Sequence, residues 1–545
     1  MSSLPPEILH FIFSLLPFPT RSAFPKSGER LGWLTVSHVC HQWREIVLHQ
    51  PRFWGRIDFT SLTLAGETEM LARAKDAPLH LAADFRACKR KVKRFYAFHN
   101  QLGAHAARIR SLTIVASSID LWESLNLLKW PAPALESLSL SIPGMLDSRS
   151  SPRIGDEVPH LFNCTTPRLT RVELINCYID WSSPLLKGLR HLMLLYTGNR
   201  LFIQGWSHFQ SWLDAMGELS QLESLTIHNA TPIATRVRED MPELTHAVEL
   251  PCLTRLHIST ISADDCTLAL AYLRLPVLTW LCVEVMQKFN IDGDIGVLMP
   301  YFARNANGPQ DEMPLQSMVI GGKESRDDIL LWTDPGADAE YLNNASFTRA
   351  TRSTRASLNV SISYWDFDPQ TTILDTALAA LPIGSLATLT VLNFTEVTRP
   401  LWLRHAPQWP LLKRIWLGKT ALPPFIDAMI DVDEDTPPEG PLLPSLEELV
   451  ITGPSLTMDI ALRLRDMLLL RVKQGVPIQT LDLRRCAVPG DAMRLFGDIV
   501  ANTQGPKGTK PPWKLRIVRP LHLTTWVFHE ELGKLGDEDE DEEEE

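Results

Sequence analysis

Several patterns are missing from this chain, and each absence removes a class of function. The eight cysteines form no C-x-x-C pair, which speaks against paired-cysteine zinc modules and a dithiol redox centre. No stretch of 18 apolar residues occurs, and no charged-then-apolar leader opens the sequence. Membrane spanning and secretion are therefore not expected, and reduced thiols in cytoplasm or nucleus are. Sequon matches such as Asn163 and Asn229 then count as chance. G-x-S-x-G, H-E-x-x-H and EF-hand loops are missing, and Gly321-Gly322-Lys323 lacks the spacing of a phosphate loop. No general acid, base or nucleophile constellation emerges, so no catalysis, metal or cofactor is expected. Nor is there an excess of basic charge. The net charge is −11, and the nine acidic residues 537–545 supply −9 of it, leaving about −2 for the rest. Nucleic acid is thus not an expected partner. The one basic run, Lys89 to Arg94 interrupted by Val92, reads as a solvated helix start.

What is present is a folded chain of 545 residues, 45% hydrophobic and 21% charged, too long for one ordinary core. Its first sixty residues carry two helical stripes. In 4–16, LPPEILHFIFSLL, Pro5 and Pro6 suit a first helical turn, and Ile8, Leu9, Ile12, Phe13 and Leu16 share a face. A second helix is expected over about 34–48, with Val36, Val39, Cys40, Trp43 and Val47 on one stripe. His38, Cys40 and His41 look like metal ligands at first sight. Cys40 lies on the apolar stripe, however, and no other Cys/His pair close in sequence completes a four-ligand set. Helix packing or docking is the better reading.

The ordered run Leu4, Pro5, Glu7, Ile8, Leu9, Ile12, Leu16, then Val36, Ser37, Val39, Cys40, Trp43, Arg44, Ile46, then Pro51, Phe53, Trp54 resembles the F-box. The resemblance covers 3–58. The span from Leu16 to Val36 is longer than usual for that family, and His41 stands where Arg or Lys is common. The resemblance implies a small helical module that docks on the Skp-type linker of a cullin–RING ubiquitin ligase. Leu4, Pro5, Ile8, Leu9, Ile12, Phe13, Leu16, Val36, Val39, Trp43 and Ile46 would form the docking surface. A module this small leaves apolar surface uncovered, which suits a helix-in-groove interface.

Beyond residue 108 the unit L-x-x-L-x-L recurs, from Ile109/Leu112/Ile114 and Leu135/Leu138/Leu140 to Ile478/Leu481/Leu483, at intervals mostly of 20 to 37 residues. A proline often stands just before it, as at Pro133, Pro167, Pro251, Pro410 and Pro444. Two copies, 169–179 and 478–488, resemble the leucine-rich repeat, with Cys177 and Cys486 in the place whose side chain turns inward. Helices are expected at 93–108, 206–219, 263–274, 374–381, 457–473 and 490–501. The expected fold is α/β: a helical F-box at 1–60, a linker and capping segment at 61–108, and an irregular leucine-rich-repeat solenoid at 109–520. Parallel strands would line its concave side and helices its convex side. An insertion is expected at 321–357, and a C-terminal segment at 521–545 with a disordered acidic tail.

Alternate strand residues would face outward. From that row Trp416, His257, Glu173, Met193, Asp482 and Arg484 are the candidates for holding a target protein, Trp416 foremost. The function expected is a substrate-recognition adaptor of an SCF-type ligase, partnered by the linker, a cullin and an unknown target. A non-degradative F-box scaffold remains an open alternative.

Overall fold

The computed structural model describes residues 5–14, 36–60, 62–86, 91–144, 153–154, 161–197, 206–229, 247–260, 263–287, 316–323, 326–332, 358–364, 373–381, 383–392, 397–430, 440–453, 455–502 and 516–518. Two compact units emerge, Met1–Met318 with Gly322–Ile383, and Val319–Gly321 with Gly384–Glu545. Leu4, Leu16, the 17–35 span and the acidic tail lie outside the described residues.

The first unit opens with α1 (Pro6–Ser14) and α2 (His41–His49). The continuous stripe expected over 34–48 is broken. Val36–Val39 form a separate turn, closed by Val39 N–H donating to Val36 O at 3.3 Å. Cys40 is extended (φ −157°, ψ 171°) and caps α2. Consecutive β-branched and polar residues hold a helix poorly there, and the guanidinium of Arg44 fastens the turn by donating to Ser37 O at 3.0 Å. Cys40 is therefore exposed, not a small buried hydrophobe.

Next comes α3 (Pro51–Trp54), with Pro51 in the first turn where its missing N–H costs nothing. Phe53 and Trp54 are buried, and the Trp54 indole donates to Val47 O at 3.0 Å. Arg73, on α4 (Leu64–Ala74), lies 4.4 Å over the Trp54 ring. Gly55 follows because nothing larger fits: a Cβ there would sit 2.4 Å from Pro78 O. The close approach lets His80 N–H donate to Gly55 O at 2.8 Å, which starts a strand ladder.

That ladder begins earlier than the leucine triplets indicate. β1 (Arg56–Asp58) pairs in parallel with β2 (Leu79–Asp84), which pairs with β3 (Ile109–Val115). The segment read as a linker thus supplies α4, β2 and α5 (Lys91–His105). On α5, Phe95 and Phe98 pack on Phe85 at 5.0 and 5.4 Å, and Phe98 packs on Phe59 at 4.8 Å. Arg94 in the basic run is not a solvated end. It points inward, donating to Phe59 O and pairing with buried Glu67.

From β3 the parallel order runs through β4 (Ser137–Ser141), β6 (Arg171–Ile175), β8 (His191–Leu195), β9 (Ser224–His228), β11 (Arg255–Thr260), β13 (Trp280–Gln287) and β16 (Leu358–Tyr364). Short pairs β5 (Arg153–Ile154) with β7 (Tyr178–Ile179), and β10 (Val248–Glu249) with β12 (Leu273–Arg274), flank it. The triplets stack in register: Leu112, Leu138, Val172, Leu192, Leu225, Leu256 and Leu281 lie side by side, as do Ile114, Leu140, Leu174, Leu194, Ile227, Ile258 and Val283. All are buried, because each strand sends alternate side chains to one face. Full burial of each contributes roughly 1.5–3 kcal/mol before the cost of chain ordering. The ladder extends one residue before the strands: Glu136 N–H donates to Arg110 O, and Thr254 N–H to Glu223 O.

Asn176, more than Cys177, satisfies the loop after β6. At φ 56° and buried, its amide donates to Ile142 O at 2.7 Å and Gly144 O at 3.1 Å, and its carbonyl accepts from Thr197 N at 2.8 Å. Cys177 is fully buried beside it, and burial pushes its thiol pKa far up, so it stays protonated. Helices α6 (Ser118–Leu127), α7 (Trp206–Glu218) and α8 (Ala263–Ala271) connect the strands. α8 is shorter than the expected 263–274, because Leu273–Arg274 is drawn into β12. The expected insertion begins as strand: β14 (Ser317–Lys323) is followed by β15 (Arg326–Trp332), which runs antiparallel to β16. α9 (Ile373–Ala380) closes this unit.

The second unit carries its own parallel ladder, β17 (Thr388–Leu392), β18 (Arg414–Leu417), β19 (Glu448–Gly453), β20 (Thr480–Cys486) and β21 (Arg516–Val518). Leu389, Ile415, Leu449 and Leu481 form one buried row. The connections are α10 (Arg399–His405), α11 (Leu422–Ile430), α12 (Met458–Lys473) and α13 (Gly490–Asn502). Trp402 packs edge-on against Phe425 at 5.0 Å. Arg471 on α12 is buried and donates to Leu442 O at 2.8 Å and Leu443 O at 2.9 Å; burial lowers its pKa to about 10. Among the described residues, no helix is long and apolar enough to cross a membrane.

Candidate functional site

The two helical stripes divide into an inward and an outward part. On α1, Leu9 and Phe13 are sealed at 3% and 2% exposure, and Phe13 meets the Trp43 ring edge-on at 4.9 Å. Val36, in the turn before α2, is buried, and Trp43 and Ile46 on α2 are half-buried. The other side of α1 is apolar and open. Ile8 is 48% exposed, Ile12 40% and Phe11 61%, one turn apart along one ridge, and Val39 on the following turn is 60% exposed. Pro5 is exposed at the start of the helix. The sequence pattern pooled both sets, because spacing of 3.6 residues marks apolar positions without saying which neighbour covers them. Phe11 escaped the pattern because it lies off the main stripe.

The expected metal look-alike is dispersed on the surface. His38, Cys40 and His41 are all exposed, and His41 and His49 both reach toward Glu45, at 3.9 and 3.3 Å.

The candidate target-binding residues fall into two rows. In the first unit, register places Ser139, Glu173, Met193, Thr226, His257 and Cys282 side by side on the outward face. Glu173, Met193 and His257 are half-buried. Glu173 accepts from Arg171 at 2.9 Å, and similar pairs join Arg190 to Glu223 and Arg110 to Glu136. Such exposed pairs contribute at most about 1 kcal/mol each and leave a surface of mixed sign. The face becomes covered further along: Ser259 and Thr260 are 0% exposed and Cys282 2%.

In the second unit the corresponding row is Thr390, Trp416, Val450 and Asp482. Here alternation misjudges exposure. Thr390 is 0% exposed, Asp482 5% and Val450 6%, and Trp416 is half-buried, so this Trp is not an open hot spot. Arg484 lies on β20, and its side chain is outside the described residues.

One constellation was not legible from spacing. His257, Cys282 and Glu284 converge so that their ligand-type atoms all lie within 4.8 Å of one another. They come from neighbouring strands, 25 residues apart in sequence from His257 to Cys282.

Residues 1–60 match the F-box-like family, and that part of the chain is an F-box-like domain. No curated protein matches the chain. Among solved structures, the chain is similar to one described as the crystal structure of the Rad7 and Elc1 complex in yeast. The sequences are 11% identical, the alignment covers 91% of this chain and 98% of that one, and the TM-score is 0.26, too low for the folds to superpose closely.

Proposed function

We propose that this chain is a substrate-recognition adaptor of an SCF-type cullin–RING ubiquitin ligase. The F-box-like domain docks on a Skp-type linker through Ile8, Ile12 and Val39, and the following array, read as leucine-rich repeats, holds a target protein. The observation that carries the reading is the split of α1: Leu9 and Phe13 seal one side against α2, while Ile8 and Ile12 stay open on the other. An apolar ridge of this kind fits a groove on a partner helix bundle. The stacked leucine rows supply a rigid outward face, where Glu173, Met193 and His257 offer mixed chemistry suited to a protein surface. The chain performs no bond-making step itself; it raises the local concentration of target near the transfer machinery.

The full chain should copurify with the Skp-type linker, and Ile8→Asp or Ile12→Asp should abolish this without unfolding the protein. Retention with both changes refutes the docking surface. Recovery of a cullin, with linker-dependent ubiquitination of a bound protein, separates the ligase adaptor from a non-degradative scaffold.

A further inference from the structure

We propose that His257, Cys282 and Glu284 form a binding site for a divalent transition ion of the zinc class. Two parallel strands create it. His257 on β11 stands directly opposite Cys282 on β13, and Glu284, two residues on, returns to the same face opposite Ser259. The alternation that buries Leu256, Ile258, Leu281 and Val283 on one side thus gathers an imidazole, a thiol and a carboxylate on the other.

The geometry suits a cation better than a simple ion pair. His257 Nε2 is a buried atom with no hydrogen-bond partner, and Glu284 Oε2 is 3.6 Å away. That is long for a hydrogen bond. Two donors bound at about 2.0 Å to one tetrahedral ion stand roughly 3.3 Å apart, and a thiolate at about 2.3 Å widens the spacing slightly. The three donor atoms, all within 4.8 Å of one another, therefore need only a small contraction to share one ion. The walls are already built: the Trp280 ring meets His257 edge-on at 6.1 Å, and Arg255 covers Trp280 at 4.9 Å. Cys282 is 2% exposed, which keeps the thiol from bulk oxidants.

The donor set selects the ion class. Thiolate plus imidazole favours zinc, cobalt or copper over magnesium, calcium or manganese. Three protein ligands leave one tetrahedral position for water or for a donor from a bound molecule. Binding releases the thiol proton, so affinity rises with pH.

The test uses the full reduced chain, stripped of metal and titrated with cobalt(II). The expected result is one ion per chain, with visible bands of a four-coordinate site, a thiolate-to-cobalt charge-transfer band, and displacement by zinc(II). Cys282→Ser should remove the charge-transfer band, and His257→Gln and Glu284→Gln should each weaken binding at least about tenfold. Cys252→Ser, an exposed thiol elsewhere, should change nothing. Circular dichroism of the metal-free variants checks folding, and Glu284→Gln, at a half-buried position, carries the test if Cys282→Ser misfolds. A wild-type chain without the charge-transfer band overturns the proposal. So does a band that survives Cys282→Ser in a folded chain, or an affinity unmoved by Glu284→Gln.

Discussion

Replacing Ile8, Ile12 and Val39 together by Ala should weaken linker binding without loosening the fold. The three side chains retain 48%, 40% and 60% of their accessible surface. Complete coverage by a partner would bury the equivalent of about one and a half aliphatic side chains, at roughly 1.5–3 kcal/mol each. Alanine keeps one methyl of each, so the expected loss is about 2–3 kcal/mol, or roughly 30- to 150-fold in Kd. Isothermal calorimetry with the purified linker measures this directly. The paired control is Phe13→Ala, which removes a sealed ring packed on Trp43 and should cost about 3–5 kcal/mol of stability. The reasoning fails if the triple variant binds as the wild type does while Phe13→Ala melts normally and loses binding. That outcome would place the contact on the sealed face of Leu9 and Phe13.

Two titrating groups in the first unit, buried Glu67 and half-buried His80, should oppose each other. Burial, against the pull of Arg94, raises the Glu67 pKa to about 7, so its stability contribution is full below about 4.5 and lost as pH climbs through 7. Burial and the nearby Arg56 and Arg110 lower His80 to about 4, so its contribution is full above about 6.5 and lost as pH falls through 4. Each is worth at most about 3 kcal/mol. In urea titrations Glu67→Gln should therefore remove the loss of stability as pH rises through 7, and His80→Gln the loss as pH falls through 4; profiles parallel to wild type at every pH would contradict both. Arg471→Met should destabilise the second unit by roughly 1–4 kcal/mol, because the Leu442 and Leu443 carbonyls lose their donors, and a thermal melt of the full chain reads it. Asn176→Ala should cost roughly 2–4 kcal/mol, and Asn176→Gly somewhat less, since glycine keeps the φ of 56° at no steric cost. Equal losses for the two would show that the backbone conformation contributes nothing.

The leucine rows were legible in the sequence because a six-residue motif fixes which side chains alternate inward, and Leu112 to Leu281 fall in register as the motif implies. The helices 206–218, 458–473 and 490–502 follow the same logic of period 3.6. β1 and β2 were hidden because they carry no L-x-x-L-x-L unit; backbone contact at Gly55 and Pro78 sets their pairing. The break at Cys40 was hidden because hydrophobic spacing runs straight through it, whereas φ and ψ do not. Exposure was the least legible quantity. Trp416 and Asp482 alternate outward as expected, yet they stand in a covered row, since alternation specifies a face and not what lies over it. His257 and Cys282 meet through strand register, which no local spacing encodes.

Trp54 bonds to Val47 on one side and lies under Arg73 on the other, and Gly55 carries the chain straight into the first strand. The amino-terminal helices are thereby bolted to the head of the ladder. On the proposed reading, a cargo seated one strand further along would be offered to the transfer machinery about 4.8 Å farther away. Seat number on the ladder would then act as a ruler, choosing among the lysines of the cargo by reach.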